Sequence, residues 1–371
     1  MYTSVEPQYY AKILLNSSMI STVRIVGAGL IGTSIGLCLK SAGIKVEMMD
    51  LDSNSAQLAQ DLVKSTSISE PDLIVVAVPI SANRKVVIEQ LNANPNSIVC
   101  DLASVKSDLL VKVEELSDNA ENFISLHPMA GRELSGAQSA RADLFIGRAW
   151  VLIAGSKSSK KAKLVADAFI EICGGSSYQM SSAEHDLTVA KLSHLPQILS
   201  SSLAASLLEV SEDNLNISGQ GIRDLTRLAN SDSKLWSEIF LANQSSLTPA
   251  LEKLISNLQG VQKSLVSNKK EEIEDFLKKG REGKEKIPGK HGAKSRDYAF
   301  LPIVIDDKPG QLAIIFNECA KIAVNIEDLS IEHSPGQETG LITLALSESD
   351  CIKLSEHLEK LGFKVHPTKN R

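Results

Sequence analysis

The chain has 371 residues, enough for two or three domains and for a core that needs no disulfide or metal staple. Lys and Arg number 39 against 45 Asp and Glu, a net charge of −6, which argues against a general nucleic-acid binder. No apolar run approaches a membrane span, and five scattered cysteines with no CxxC pair read as reduced thiols of a cytoplasmic protein, not as a disulfide framework or a zinc site.

Residues 1–21 show neither a signal nor a transit pattern and read as an N-terminal extension. Thr22–Val26 predicts a first strand, 31–41 a helix ended by Ala42-Gly43, and Lys45–Met49 a second strand. A β-branched run at 73–78 is stopped by Pro79, and strands at 97–100, 123–126 and Ala149–Ile153 follow. Near-continuous apolar strands separated by helical stretches predict a Rossmann-like, doubly wound parallel sheet covered on both faces, over residues 22–178.

Residues 179–280 change to helical spacing, with Leu187, Ala190, Leu195, Ile198, Leu199, Leu203 and Leu207 on recurring faces. This predicts an all-helical domain, a layer whose stacked apolar helices often serve as a dimer interface and, with the polar residues at 193–197 and 223–227, a candidate substrate domain. Residues 281–297 are rich in Lys, Arg and Gly and read as a basic linker, either solvated or docked beside a site. From 298 to 371 the order strand, helix, strand, strand, helix, strand predicts a small α+β ferredoxin-like domain.

The first strand runs straight into Gly27-Ala28-Gly29-Leu30-Ile31-Gly32, a GxGxxG that opens the next helix. Alone the motif is weak; between a strand and a helix it has the context of a dinucleotide-binding loop. The first Gly permits the turn, the second lets a pyrophosphate reach the backbone, and the third lets the helix pack on the sheet. The helix start offers N–H groups to the phosphates. Asp50 ends the second strand, where an acidic side chain accepts from an adenosine ribose. No Lys or Arg follows at 51–54, so NAD is expected over NADP. Val78, at the end of the third strand, joins the cofactor set.

His127 follows the strand at 123–126, at the sheet edge where open α/β sheets bind ligands. A lone His there reads as structural or as chemical. Ser104 leaves the preceding strand at the same edge, placed to orient the imidazole or to contact a nicotinamide. A neutral imidazole accepts a hydroxyl proton while hydride leaves the same carbon. In the helical region, Ser193, His194 and Gln197 cluster, the last two on one helix face, with a kink expected at Pro196. A pocket and irregular packing both fit. Arg223, Asp224 and Arg227 read either as a carboxylate clamp or as a surface ion pair worth ~0–1 kcal/mol.

The runs GAGLIGTSIG, DLASVK (101–106), LHPMAGRELSG (126–136), AEHDLTVAKLSHLP (183–196) and RDLTRLANSDSKLW (223–236) resemble the prephenate dehydrogenase family of tyrosine biosynthesis. The resemblance covers about residues 22–260. It implies NAD-dependent oxidative decarboxylation of prephenate to 4-hydroxyphenylpyruvate, with no metal. His127 matches the catalytic histidine and Ser104 the serine beside it. Arg227 matches the arginine that holds a substrate carboxylate. Glu133 and Ser193 match polar residues at the mouth of the site, and His194 the first histidine of the family's SHLPH run. Gln197 stands where many members have a second histidine, and Arg132 where a small hydroxylic residue is common. Both departures bear on prephenate against arogenate, its amino analogue; the charge of Arg132 favours the dianionic keto acid.

The tail, DDKPGQLAIIF (306–316) with VNIEDLSIEHSPG (324–336), resembles an ACT domain, an amino-acid-sensing module. That resemblance implies an aromatic amino-acid effector, tyrosine foremost, at Pro309, Gly310, Gln311, Leu312, Asn325 and Ile326, and a homodimer. Two rival readings stay open from sequence. One is a related dehydrogenase using Lys191 as its acid/base group; the other is a ligand sensor without turnover.

Overall fold

The computed structural model describes residues 19–131, 134, 136–287, 299–306, 308–332 and 338–366. The chain divides into two compact units, Met1–Gln262 and Lys263–Arg371.

The first unit opens, in chain order, with β1 (Thr22–Val26), α1 (Leu30–Ser41), β2 (Lys45–Met49), α2 (Ser53–Val63), β3 (Leu73–Val76), α3 (Ile80–Ala93) and β4 (Ile98–Asp101). It continues with α4 (Ser107–Leu116), β5 (Phe123–Pro128), β6 (Ala149–Ile153), α5 (Lys160–Ile172) and β7 (Ser176–Gln179). The seven strands form one sheet in the order β2-β1-β3-β4-β5-β6-β7. β3 and β4 are buried at every position, as strands covered on both faces must be. One face packs Ile25, Ile35, Leu39, Val63 and Phe169 into a core; the other packs Ile74, Val76, Val87, Leu109 and Val113. The strand order reverses between β1 and β3, which opens a crevice beyond their carboxyl ends.

The expectation of an all-parallel sheet holds from β2 to β5 and then fails. β6 runs antiparallel to β5, with His127 opposite Val151. Among the described residues of 129–148 there is a 3-10 turn at Ala137–Ser139 but no crossover helix, so the chain turns back along its neighbour. β7, parallel to β6, carries the sequence SSYQ and is exposed at all four positions. It has no apolar signature for a sequence reading to find.

The helical part holds α6 (Ser182–Val189), one π-helical turn (Ala190–His194), α7 (Leu195–Ser206), α8 (Glu212–Leu215), α9 (Gln220–Thr226), α10 (Ser233–Ala242) and α11 (Gln244–Val266), which crosses the boundary between the units. The distortion expected at Pro196 lies just before it. Pro196 lacks the N–H that would bond one turn back, and the ladder upstream widens into the π turn.

The second unit contains α12 (Lys270–Glu285), β8 (Ala299–Asp306), α13 (Gln311–Lys321), β9 (Asp328–Glu332), β10 (Thr339–Leu346), α14 (Glu348–Lys360) and β11 (Lys364–Val365). Of the basic stretch 281–297, residues 281–285 complete α12 and 288–297 lie outside the described residues. The four strands form an antiparallel sheet in the order β11-β8-β10-β9. β8 alternates buried and half-buried positions, and its inner face packs Leu301 and Ile303 against Ile315, Leu354 and Leu358.

Candidate active site

The glycine loop lies at the carboxyl end of β1. Gly27 has φ +112°, a conformation open to glycine, and a Cβ there would overlap the Ala77 carbonyl. A Cβ at Gly32 would overlap the Gly27 carbonyl, so the start of α1 sits directly on the loop. At Gly29, by contrast, a Cβ would meet nothing within 4 Å. No side chain caps α1, so its first N–H groups, from Leu30, Ile31 and Gly32, face this open space. Asp50 Oδ2 accepts from Ala28 N at 2.6 Å and Oδ1 from Asp52 N at 2.9 Å. The carboxylate thus braces the loop and keeps lone pairs for a ribose. Val78 is partly buried beside the loop. These residues fit a dinucleotide: an open anion cradle, an acidic residue at the end of β2, and no basic residue after it.

His127 stands near the carboxyl end of β5, three strand spacings from β1, or about 14 Å. Its Nδ1 lies 2.8 Å from His185 Nε2, with the two rings edge to face. His185 is fully buried, and its Nδ1 lies 2.8 Å from Asp186 Oδ1. Asp186 also accepts from Lys106 N and Ser107 N, both at 3.0 Å, and so caps the start of α4. Behind this row, Lys106 Nζ donates to Asp101 Oδ2 at 2.8 Å and to Leu126 O at 2.6 Å. Asp101 further accepts from Ser125 Oγ, Asn83 Nδ2 and Ala103 N.

Burial, and after it the electrostatic influence of the neighbouring His185, Lys106 and His194, holds the His127 imidazole well below the ordinary histidine value. Burial resists ionisation of Asp186, but hydrogen bonds from His185 and Ser107 outweigh it and hold the carboxyl low. Burial also pushes His194 down to about 4. Asn243 Nδ2 donates to Asp186 O at 2.8 Å and lies 3.2 Å from His194 Nδ1. His194 Nδ1 therefore accepts, and Nε2 carries its proton. The ring packs edge-on to Trp236 and beside Phe240.

The structure brings His127 and His194 into one network through His185, Asp186 and Asn243. It does not bring Ser104 onto the imidazole. Ser104 is partly buried, and among the described residues the partner of His127 is His185. Gln197 is buried, and its Nε2 donates to Leu228 O at 2.9 Å and to Ser201 Oγ at 3.3 Å. It thus anchors the 3-10 turn that begins at Arg227. Arg227 is exposed on that turn, and Ser193 is partly buried in the π turn. Asp224 bonds Gln220 instead of Arg227, because Gln220 lies one turn back on the same face. Lys191, the base of the rival reading, is exposed. Arg132 and Glu133 lie outside the described residues. In the second unit, Pro309 and Gly310 turn into α13, which Gln311 begins. Leu312 and Ile326 pack against the local core, and Asn325 Nδ2 donates to Glu327.

The sequence reading missed His185, Asp186, Lys106 and Asn243. The available signal was an adjacent His-Asp pair in the short helix SAEHDLTV, and a Lys inside the buried turn after β4.

A doubly wound sheet with an anion cradle at its switch point and a neutral histidine at the same edge defines an NAD-dependent dehydrogenase. Residues 35–179 match the nucleotide-binding domain of prephenate dehydrogenase, and residues 181–279 match its dimerization domain. The chain belongs to the prephenate dehydrogenase family of NAD-dependent oxidoreductases. It is similar to prephenate dehydrogenase of Lactococcus lactis, at 28% identity over 79% of this chain and 85% of that one. Cyclohexadienyl dehydrogenase of Zymomonas mobilis is 30% identical over 66% of this chain and 88% of its own length. The solved prephenate dehydrogenase of A. aeolicus, in complex with hydroxyphenyl propionate and NAD+, superposes with a TM-score of 0.65 at 27% identity, covering 72% of this chain and 98% of that one.

Proposed function

We propose that the chain oxidises and decarboxylates prephenate to 4-hydroxyphenylpyruvate in tyrosine biosynthesis. The observation that carries this reading is the imidazole of His127, held through Nδ1 at the edge that also bears the glycine loop. Prephenate carries a ring hydroxyl at one end and a ring carboxylate opposite. NAD, when bound, supplies the hydride acceptor. His127 Nε2 takes the hydroxyl proton as hydride leaves that carbon. The ring carboxylate departs as carbon dioxide, its bonding pair completes the aromatic ring, and His127 returns the proton to the ring oxygen. The remaining contribution of the site is alignment.

In this reading Arg227 holds a substrate carboxylate, and Ser104 sits at the nicotinamide. His194 offers an Nε2–H donor. Ser193 and Glu133 are assigned to the mouth by the family match, and Arg132 to the neighbourhood of the substrate side chain. A second reading, arogenate dehydrogenation to tyrosine, is favoured by one observation. The Gln197 amide must turn Nε2 to the Leu228 carbonyl, and its buried Oε1 then has no hydrogen-bond partner among the described residues. Such an acceptor suits a substrate ammonium.

Residues 298–371, within the second unit, are proposed as an ACT domain that binds tyrosine or another aromatic amino acid at Pro309, Gly310, Gln311, Leu312, Asn325 and Ile326. Its element order and the left-handed Gly310 ahead of α13 support this. A homodimer is proposed through the helical region. Leu192, Leu208, Ile217 and Leu241 are each more than two-thirds exposed there, and that region matches the family's dimerization domain. Domain limits at 22–178, 179–280 and 298–371 and a cytoplasmic location belong to the same proposal. No described helix is long and apolar enough to cross a membrane.

The test is NADH formation with prephenate and with arogenate, each with and without tyrosine. Higher kcat/KM on prephenate, suppressed by tyrosine, supports the proposal. Preference for arogenate moves it to the second reading, and no turnover on either substrate overturns both.

A further inference from the structure

Asp186 can only accept hydrogen bonds, and three donors surround it: Lys106 N, Ser107 N and His185 Nδ1. The Nδ1 atom of His185 therefore carries a proton. In a neutral imidazole the other nitrogen then holds a lone pair. That atom, His185 Nε2, lies 2.8 Å from His127 Nδ1, so His127 must donate. With His185 neutral, the direction of each bond runs from the carboxylate outward, and it ends with the lone pair of His127 on Nε2.

The one competing arrangement is a His185 imidazolium paired with Asp186, which would donate through Nε2 and leave His127 protonated at its own Nε2. The titratable and charged groups around His127 are His185 and Asp186 on α6, His194 on the π turn, Lys106 ahead of α4 and Asp101 at the end of β4. Lys106 Nζ is engaged by Asp101 and Leu126 O, and His194 Nδ1 by Asn243. Asn243 also holds the backbone carbonyl of Asp186. His185 is fully buried and uses both ring nitrogens, which a packing residue would not need. An isolated histidine side chain favours the opposite form, with its proton on Nε2, and that form presents no base.

We propose that His185 and Asp186 are positioning residues that set the tautomer of His127, keeping its proton on Nδ1 and its lone pair on the Nε2 that meets the substrate hydroxyl. The inference rests on the reading of His127 as the base. When Nε2 takes the hydroxyl proton, the resulting imidazolium keeps its Nδ1–H on His185 and lies one residue from the Asp186 carboxylate. The same arrangement then holds the ring while the proton waits for return.

Two-bond proton–nitrogen correlation spectra of the full-length protein at mildly alkaline pH read the tautomer directly, with the His127 signals assigned by their loss in His127→Asn. This readout does not depend on turnover, so it separates failure of this inference from failure of the proposed reaction. The expected spectrum has His127 protonated at Nδ1. Replacing His185 with Phe removes the acceptor but keeps a ring. It should move the proton to Nε2 and lower kcat on prephenate about 100-fold or more, with KM and NAD affinity within about threefold. His185→Gln places an amide oxygen where Nε2 was and should recover kcat to within about tenfold of the parent. His127 found protonated at Nε2 in the parent, or unchanged kcat in His185→Phe, overturns the proposal. If the Phe variant does not fold, the parent spectrum and the Gln variant decide.

Discussion

The ammonium of Lys106 donates to the carbonyl of Leu126 at 2.6 Å, one residue before His127. The same ammonium is paired with Asp101, and both side chains are wholly buried. The end of β5 is therefore fixed to the end of β4 through a charge. Burial pulls the Lys106 pKa down, and the Asp101 carboxylate pulls it back. Removing one partner of such a pair leaves the other charge uncompensated, at about 3–5 kcal/mol. Lys106→Met should lower unfolding stability in urea by about that amount. Adding Asp101→Leu should restore only part of it, because Asp101 also accepts from Ser125, Asn83 and Ala103. A single variant within about 1 kcal/mol of the parent would show that the pair contributes little.

Stability should fall as pH drops from about 6.5 towards 4. His127 and His194 are held below the ordinary histidine value, chiefly by burial, His194 at about 4. In the unfolded chain each binds a proton near pH ~6.5. Between those values the unfolded state holds more protons, so stability rises with pH across this window and is complete above it. His194 contributes no more than about 3 kcal/mol of this change. Asp186, held low, loses its contribution only at more acidic pH. Urea titrations across the window should show a slope that His194→Gln reduces. An unchanged slope would mean that His194 charges freely in the folded protein.

The first half of the sheet was legible because β3 and β4 are buried on both faces and their residues say so. The glycine loop was legible because its context is local: one strand, six residues, one helix. The direction of β6 was not, since an apolar strand reads the same in either orientation. Nor was the acceptor for His127. His185 lies 58 positions away, and its only local cue is Asp186. Helical spacing names neighbours three and four residues apart, not partners across a domain. The same limit applies to Asp224, where the expected i, i+3 partner loses to Gln220.

The second and third glycines of the loop should separate stability from cofactor binding. A Cβ at Gly29 meets no protein atom within 4 Å, and φ there is −78°, which alanine adopts freely. Gly29→Ala should keep the parent's thermal stability while NAD affinity falls about tenfold or more, as the methyl displaces an anion from backbone donors. Gly32→Ala should overlap the Gly27 carbonyl and destabilise the fold by about 1–3 kcal/mol even without NAD. Calorimetric titration with NAD and thermal melts test both. A Gly29→Ala protein that binds NAD normally would remove the pyrophosphate from this loop.

The two polar atoms of the Gln197 amide have different surroundings, and one variant assayed on two substrates can separate their roles. Its Nε2 anchors Leu228, next to Arg227, and its Oε1 is a buried acceptor without a donor among the described residues. Gln197→Leu keeps much of the volume and removes both atoms. Loss of the anchor loosens the turn that presents Arg227, so KM for prephenate should rise about tenfold with a smaller change in kcat. If Oε1 receives only the solvent of an empty site, arogenate should suffer to the same extent. A loss on arogenate exceeding that on prephenate by more than about tenfold would mark Oε1 as an ammonium acceptor, because a buried donor left unpaired costs far more than a weakened contact. That outcome would move the substrate assignment to arogenate while leaving His127, its tautomer and the hydride chemistry where they are.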